Sequence, residues 1–345
     1  MPKVISKNPT GNTAGATSSL IGNPDMPMEY AFQNTHIAKA LPSVQKEYKM
    51  VGLIGHSEKD CISTPSANGD PGFVMIQMEF KAVNTADSPN EEIKTLDQLK
   101  KFFDKQKLTR FDLAVMNAVY VLWKRRENKS SNEANMTFSE IYCTMNGLPG
   151  IHRIKPVTTD SIRKSVSKML HLVIEIDTKF ENSKFADNLA AHQIRKGGVT
   201  AESLILSSSY YRTHCGYDVG GITVFRCPIL CRYAEAAGCI MPMPQNILSV
   251  RTASGKQIKL TERSAGFRSV LAEHVTIMKK GKVRGRKIGL RTITEAAGYD
   301  YDDLDRKRKQ RDRELIETIL THFVQVGYLA GFTIDVETKM VEFQV

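Results

Sequence analysis

The apolar and polar positions of this chain follow the same succession of patterns twice. Each copy predicts an apolar helix, a short helix that starts at a capping sequence, a third helix and then alternating strands. The first copy covers residues 109–210, and the second, clearer copy covers residues 261–345. We therefore expect two structural units of the same kind within one chain.

Two capping sequences place the first helices of the first copy. Thr109 precedes the stretch Phe111–Trp123, which is apolar on nearly every side, so we expect a buried helix that begins after this threonine. Farther along, Thr137 and Glu140 have the spacing of a capping box, in which each side chain bonds the backbone of the other residue. A short helix is expected from there to Gly147, because glycine commonly ends a helix.

The third helix of the first copy carries basic residues. It is predicted to begin at Thr159 or Asp160, after which the apolar residues recur at helical spacing as one stripe. Arg163, Lys164 and Lys168 lie off this stripe and are expected to face solvent. This helix is the first candidate surface for a polyanionic partner.

Alternating apolar residues predict the strands around this helix. Leu172–Ile176 is expected to be a strand and Glu202–Ser208 its returning partner, with a long connection over residues 178–201. Nearer the N-terminus, Ile76–Ala82 alternates in the same way, whereas residues 60–72 are rich in turn residues and are expected to form a loop. A small β element is therefore expected ahead of the first copy.

The second copy predicts the same elements with clearer boundaries. They are a helix opened by Thr261, a strand at Lys287–Leu290, a helix opened by a capping box at Thr292 and Glu295, a long helix over residues 303–326, and a hairpin of residues 331–335 and 340–344. This order is typical of the winged helix-turn-helix, whose third helix enters the major groove of DNA.

The predicted fold class is α+β, with two tandem winged helix-turn-helix domains and a small N-terminal β element. The predicted divisions are a flexible tail at 1–28, the β element at 29–94, the first winged-helix domain at 95–220, a connector at 221–260 and the second winged-helix domain at 261–345. The tail has almost no large apolar residue, so burial cannot offset the entropy lost on ordering it.

The net charge of the chain indicates what kind of partner it binds. The chain has 48 lysines and arginines against 37 aspartates and glutamates, which gives a net charge of +11. This excess favours DNA, RNA or an anionic membrane surface. A membrane is the least favoured of the three, because no basic helix has a free apolar face and no apolar run has the length of a span. Since the first residues also lack a signal sequence, we expect a cytoplasmic protein.

The long helix of the second copy divides into two halves of different chemistry. Its second half has an apolar stripe, whereas its first half, D-R-K-R-K-Q-R-D-R, has no large apolar residue. Extended backwards, the helical period places four residues opposite the stripe: Arg306, Lys307, Gln310 and Arg313. Arginine pairs with guanine and glutamine with adenine, so this set is the candidate for base recognition. The alternative is a solvated charged face with pairs such as Asp305 and Lys309.

A second basic stretch, K-K-G-K-V-R-G-R-K-I-G-L-R, lies just ahead of that helix at residues 279–291 and contains no acidic residue. Its glycines let the backbone approach a phosphate closely. The predicted phosphate contacts are Lys279, Lys280, Lys282, Arg284 and Arg286. The alternative is a disordered basic loop or a localisation-type patch.

Catalytic and metal-binding motifs give little support for an enzyme. The sequence has no nucleotide-binding P-loop, no H-x-H pair and no nucleophile beside a base, so we expect neither catalysis nor a cofactor. Cys215, Cys227, Cys231 and Cys239, with His214 nearby, suit zinc by composition but lack a C-x2-C pair. We therefore favour buried free thiols in a reducing compartment and expect no metal site, with zinc as the alternative.

Three stretches carry a resemblance to a known family: LTRFDLAVMNAVYVLW at 108–123, TERSAGFRSVLAEHVTIMKKGK at 261–282 and RKIGLRTITEAAG at 286–298. They resemble the tandem winged-helix replication initiators that bind repeated origin sequences (iterons) in plasmids, phages and other mobile elements of Gram-positive bacteria. The resemblance covers about residues 105–345, and departs from the family at 178–201 and 221–260. It implies that the helices at 159–171 and 303–313 read DNA. It also implies two further partners, a second copy of the chain and a replicative helicase.

These observations predict sequence-specific binding of double-stranded DNA, with replication initiation on a mobile element as the role. One alternative is a transcriptional regulator of a mobile element, which would bind an operator in place of origin repeats. The other is a protein whose basic faces bind an acidic partner protein. That protein would show no salt-sensitive binding to duplex DNA.

Overall fold

The computed structural model describes residues 27–31, 60–65, 73–80, 108–126, 133–149, 152–178, 183–214, 217–236, 240–252, 254–279 and 285–344. Within them the fold is mixed α+β, with helices packed on small antiparallel sheets, which confirms the α+β part of the prediction. None of the helices in these ranges is long and apolar enough to cross a membrane.

The elements alternate between helices and short strands along the whole chain. Up to residue 224 they are β1 (Pro27–Ala31), β2 (Asp60–Pro65), β3 (Phe73–Phe80), α1 (Arg110–Arg126), β4 (Ala134–Thr137), α2 (Phe138–Met145), α3 (Pro156–His171), β5 (Leu172–Asp177), α4 (Ser183–Ala191), β6 (Val199–Ser203), β7 (Ser207–His214) and β8 (Tyr217–Val224). The rest are α5 (Ile229–Ala236), β9 (Ile240–Pro244), a 3₁₀ helix (Gln245–Leu248), α6 (Glu262–Lys279), β10 (Lys287–Gly289), α7 (Leu290–Ala296), α8 (Arg306–Gln325), β11 (Gly331–Asp335) and β12 (Met340–Gln344).

The described strands form four sheets, with the strand orders β2-β3-β5-β6, β4-β8-β7, β10-β12-β11 and β1-β9. Each neighbouring pair is antiparallel. The predicted C-terminal hairpin is confirmed as β11 and β12. Because β12 also pairs with β10, this hairpin is attached to the strand that leads into α7.

Side-chain caps confirm the predicted starts of α1, α2 and α6. The Thr109 hydroxyl accepts an N–H of the first turn of α1 at 3.2 Å, and the Thr261 hydroxyl accepts one from the first turn of α6 at 3.1 Å. Thr137 and Glu140 form the full capping box of α2. Gly147 follows that helix with a φ of +59°, a conformation that glycine adopts without strain.

The predicted start of α3 is wrong. The helix begins at Pro156, one turn before Thr159 and Asp160, and its cap residue Lys155 makes no side-chain capping bond. Proline suits this position because the first turn of a helix does not use its N–H groups and the proline ring already has a helical φ. The proline therefore starts the helix ahead of the predicted Thr159 or Asp160.

The capping box predicted at Thr292 does not form. Helix α7 begins two residues earlier, at Leu290, with Gly289 as a cap residue that has no side chain to bond. Glu295 instead accepts a bond from Arg291, one turn ahead of it, at 3.1 Å. The strand β10 thus runs directly into α7.

Two strand predictions also need correction. Residues 60–65, expected within a loop, form β2 and pair with β3. The partner of β5 is β6 at Val199–Ser203, ahead of the predicted Glu202–Ser208, and the connection between them contains α4. The first copy therefore has a helix in place of a simple long wing.

Several elements cross the predicted domain divisions, and those divisions stay predictions. Strand β1 begins at Pro27, inside the predicted tail, and pairs with β9 of the predicted connector. Strand β8 spans the division at residue 220 and is the central strand of its sheet. Helix α5, also in the connector, is largely buried.

Helices α1 and α6 pack against each other and join the two halves of the chain in one apolar core. Arg268 of α6 is buried and donates to the side-chain oxygen of Asn146 at 3.2 Å and to the carbonyl of Leu248 at 2.8 Å. Arg110 of α1 donates to the carbonyl of Ala296 at 2.7 Å. These bonds fix the helices of the second half against the first half.

Candidate nucleic-acid interface

Helix α8 carries the basic sequence that motivated the DNA prediction, and two kinds of contact hold it. Its second half packs on the core through Ile316, Leu320 and Phe323. Its first half has a polar anchor, because Asp312 is only 4% exposed and accepts two bonds from the guanidinium group of Arg263 on α6. The part of α8 that packs on the protein therefore extends one turn farther toward the N-terminal end of the helix, its front, than its apolar residues predict.

Aromatic rings hold the arginine of this anchor. The Arg263 guanidinium lies 4.1 Å from the centre of the Tyr299 ring and 5.9 Å from that of Phe267. Its hydrogen bond with Asp312 raises the pKa of Arg263, so the guanidinium group stays charged. Burial raises the pKa of Tyr299 to about 12, and the nearby charge of Glu262 adds to the effect. Helix α8 thus projects from a fixed base on α6.

The front of α8 projects from this base with exposed cations. Asp305 caps the helix by accepting the N–H of Arg308 at 2.7 Å. Lys307 and Arg311 are exposed and, among the described residues, form no ion pair. They lie four residues apart, on one side of the helix, so both can reach the same run of phosphates.

Three members of the predicted base-reading set are exposed: Arg306, Lys307 and Gln310. Arg306 is the first residue of α8. The Gln310 side chain donates to the carboxylate of Glu314 at 3.1 Å, so it can contact a base only when this bond opens.

The fourth member, Arg313, is half-buried, and the prediction that it lies opposite the apolar stripe is wrong. Counted around the helix, Arg313 is only about 60° from the buried Ile316. Arg311 occupies the exposed side instead, and we did not select it from the sequence. The burial of Asp312 is the reason, because a charged residue gives no sign in a hydrophobic pattern that it faces the core.

The basic stretch ahead of α8 is described only at its two ends. Lys279 donates to the carbonyl of Tyr328 at 3.0 Å and lies 4.6 Å from the centre of its ring, which ties the end of α6 to the loop after α8. Arg286 has an exposed side chain, and its carbonyl accepts the N–H of Phe343 at 2.8 Å. The predicted contacts Lys280, Lys282 and Arg284 lie outside the described residues.

In the first half of the chain, two of the three basic side chains of α3 that we expected to face solvent do so, and the third does not. Arg163 and Lys164 are exposed, and Arg163 pairs with Asp160 in the same helix. Lys168 instead reaches α1 and forms a 2.7 Å ion pair with Asp112, which is 2% exposed. The prediction that Lys168 faces solvent is therefore wrong.

The early start of α3 adds residues that the sequence prediction missed. Arg153, Lys155 and Val157 are all exposed at the front of this helix, and Val157 is 76% exposed. Single apolar side chains are commonly exposed, so it is Arg153 and Lys155 that extend the candidate basic surface of α3. Pro156 is the signal that points to it, since proline at the first helical position extends the helix back to these residues.

The cysteines and acidic residues form no metal cluster in the part of the chain that the structure describes. Cys227 and Cys231 are buried, and burial raises the pKa of Cys231, which disfavours the thiolate that a zinc ion binds. Cys215 and Cys239 lie outside the described residues.

No protein-family model matches the chain, and no curated protein matches it. Among solved structures, it is similar to a crystal structure of selenomethionine derivatives of domain 2 and domain 3 of RctB. The sequences are 10% identical, the match covers 89% of this chain and 97% of that one, and the TM-score is 0.41. A likeness this distant assigns neither a family nor a function.

Proposed function

We propose that the chain binds double-stranded DNA sequence-specifically, through two winged helix-turn-helix units. The observation that carries this proposal is the exposed basic front of α8, which begins just ahead of the Arg263–Asp312 pair that anchors this helix to α6. The elements α6, β10, α7, α8 and the β11–β12 hairpin follow in the order of a winged helix, with β12 between β10 and β11. In this fold the front of the third helix enters the major groove.

The first half offers a second reading helix of the same kind. Helices α1, α2 and α3 follow one another in the same order as α6, α7 and α8 of the second half. The strand β4 between α1 and α2, however, pairs with β8 and not with the pair β5–β6 that surrounds α4. We therefore propose that the first half is a variant of the winged helix. Lys155, Arg163 and Lys164 supply charge at the front of α3. Val157 supplies methyl groups, which suit the methyl group that thymine exposes in the major groove.

We further propose that this binding initiates replication of a plasmid, phage or other mobile element. Two DNA-reading units on one chain suit a target made of repeated sequences, and the three stretches described above resemble initiators of this type. A second copy of the chain and a replicative helicase are the protein partners that this role requires.

Fluorescence anisotropy with labelled duplexes tests the DNA binding. The wild-type chain is titrated with random duplex and with the DNA flanking its own gene, over a series of salt concentrations. Replacing Lys307 and Arg311 by alanine should lower the slope of log affinity against log salt by about 1.8, because each phosphate contact contributes about 0.9. The control replaces Lys256 and Lys259, which removes the same charge elsewhere on the surface.

The outcomes separate the roles. Preference for a flanking segment, with direct repeats in the footprint, supports initiation, whereas a single operator at the promoter would replace that role with transcriptional regulation. Absence of binding to either duplex at low salt would refute DNA binding as a whole.

A further inference from the structure

A cavity of about 370 Å³ lies between the front of α8, the loop that precedes it and the turn of the β11–β12 hairpin. The charged and aromatic residues that line it are Arg291, Tyr301, Asp302, Lys309 and Lys339. The three cations come from three elements, α7, α8 and the hairpin turn. The cavity is therefore assembled by the fold and is separate from the Lys307–Arg311 side of α8.

The charges around this cavity do not balance. Arg291 pairs with Asp302 and with Glu295, so carboxylates already neutralise it. Lys309 lies over the Tyr301 ring, 4.7 Å from its centre, and has no ion pair among the described residues. Lys339 likewise has none in the described part of the chain. Two lysines thus face one cavity with a positive charge that no carboxylate offsets.

The hairpin turn that presents Lys339 is held by several bonds. The Asp335 carboxylate accepts the N–H of Glu337 at 2.9 Å and the hydroxyl of Thr338 at 2.6 Å. The carbonyl of Lys339 accepts the N–H of Leu290 at 2.9 Å, which joins the turn to the start of α7. Lys339 itself has a φ of +56°, so the turn is fixed in a conformation that few residues adopt. The backbone position of Lys339 beside the cavity is therefore set before any ligand binds.

We propose that this cavity holds one phosphate group of the DNA backbone, bonded by Lys309 and Lys339 together. Each lysine offers three N–H donors, enough to satisfy the two free oxygens of a phosphodiester. This inference rests on the proposed function, since DNA supplies the phosphate. One phosphate held between α8 and the hairpin would set how deep α8 lies in the groove, because phosphate contacts fix register while base contacts read sequence.

A double-mutant cycle tests whether the two lysines share one phosphate. Lys309→Gln, Lys339→Gln and the double variant are titrated with random duplex over a salt series, beside a Lys256→Gln/Lys259→Gln control. If both lysines bond the same phosphate, the remaining lysine keeps the contact in each single variant, and the double variant lowers the salt slope by about 0.9, because only one phosphate contact is lost. Two separate contacts would instead add, giving a loss of about 1.8 in the double variant, and would overturn the proposal.

Inorganic phosphate provides a second readout that does not depend on DNA geometry. Phosphate replaces chloride in the buffer at matched ionic strength. It should weaken duplex binding by the wild-type chain more than duplex binding by the double variant. Equal competition on both would overturn the phosphate site. If the double variant binds duplex with the same affinity and salt slope as the wild type, the phosphate site is also overturned, whereas the proposal that the chain binds DNA is unaffected. Failure of the wild type to bind any duplex would remove both proposals.

Discussion

At the scale of single residues, a basic side chain that pairs with a buried carboxylate stabilises the fold and is not free to bind a ligand. Asp112 is 2% exposed, accepts a bond from Thr109 at the start of α1 and pairs with Lys168 of α3. Breaking such a pair leaves one charge buried without a partner, which costs more than losing an exposed pair. Lys168 therefore contributes to stability, although its sequence pattern suggested a contact with DNA.

Replacing Lys168 by alanine should lower the free energy of unfolding by about 3 kcal/mol, because the Asp112 carboxylate stays buried and unpaired. Lys164→Ala is the matched control on the same helix, where an exposed substitution should change stability by less than about 0.5 kcal/mol. Urea unfolding followed through Trp123, the only tryptophan, measures both variants. Equal stability of the two variants would contradict the burial of the Lys168–Asp112 pair.

At the scale of elements, the Asp305 cap determines where the exposed basic front of α8 begins. Asp305→Ala should lower the free energy of unfolding by about 1 kcal/mol, since the N–H of Arg308 loses its acceptor. Asp305→Asn keeps an equally good capping oxygen and should cost no more than a few tenths of a kcal/mol. Thermal unfolding of both variants, followed by circular dichroism, compares them. A loss of the same size in both would show that charge, and not the capping bond, stabilises this end.

The same scale shows which elements can be predicted from sequence. Helix α1 and the C-terminal hairpin were predictable because a local pattern and local turn residues specify them. Strand β2 was not, since residues such as Asp60 and Ser63 are poor strand formers and the strand depends on pairing with β3. The exposed face of α8 was predicted only in part, because its orientation depends on the Arg263–Asp312 pair between two helices. The cavity beside Lys309 needed the position of the hairpin, which no local pattern contains.

At the scale of the whole molecule, polar contacts add to the apolar core that joins the two halves of the chain. His322 of α8 is 5% exposed and its ring bonds the carbonyl of Asn246, in the 3₁₀ helix after β9, at 2.9 Å. Arg268 bonds the carbonyl of Leu248 in the same turn. These contacts connect α6 and α8 of the second half to the segment that follows the first half. A change in the charge of His322 should therefore affect the stability of the whole chain.

Acid should destabilise the molecule through this histidine. Burial lowers the pKa of His322 below its ordinary value of 6.5; the bond to Asn246 opposes this shift, and the charges of Arg251 and Arg268 add to it. Because the folded state disfavours the protonated imidazole, the unfolded chain binds more protons once the pH falls below about 6.5, and the free energy of unfolding declines from there.

The variant His322→Gln tests this prediction, because it keeps an N–H donor for the Asn246 carbonyl but does not titrate. Urea unfolding at about pH 7.5 and about pH 5.5 should therefore show a smaller loss of stability for the variant than for the wild type. The same loss in both would mean that other groups, and not His322, carry the acid sensitivity of the fold.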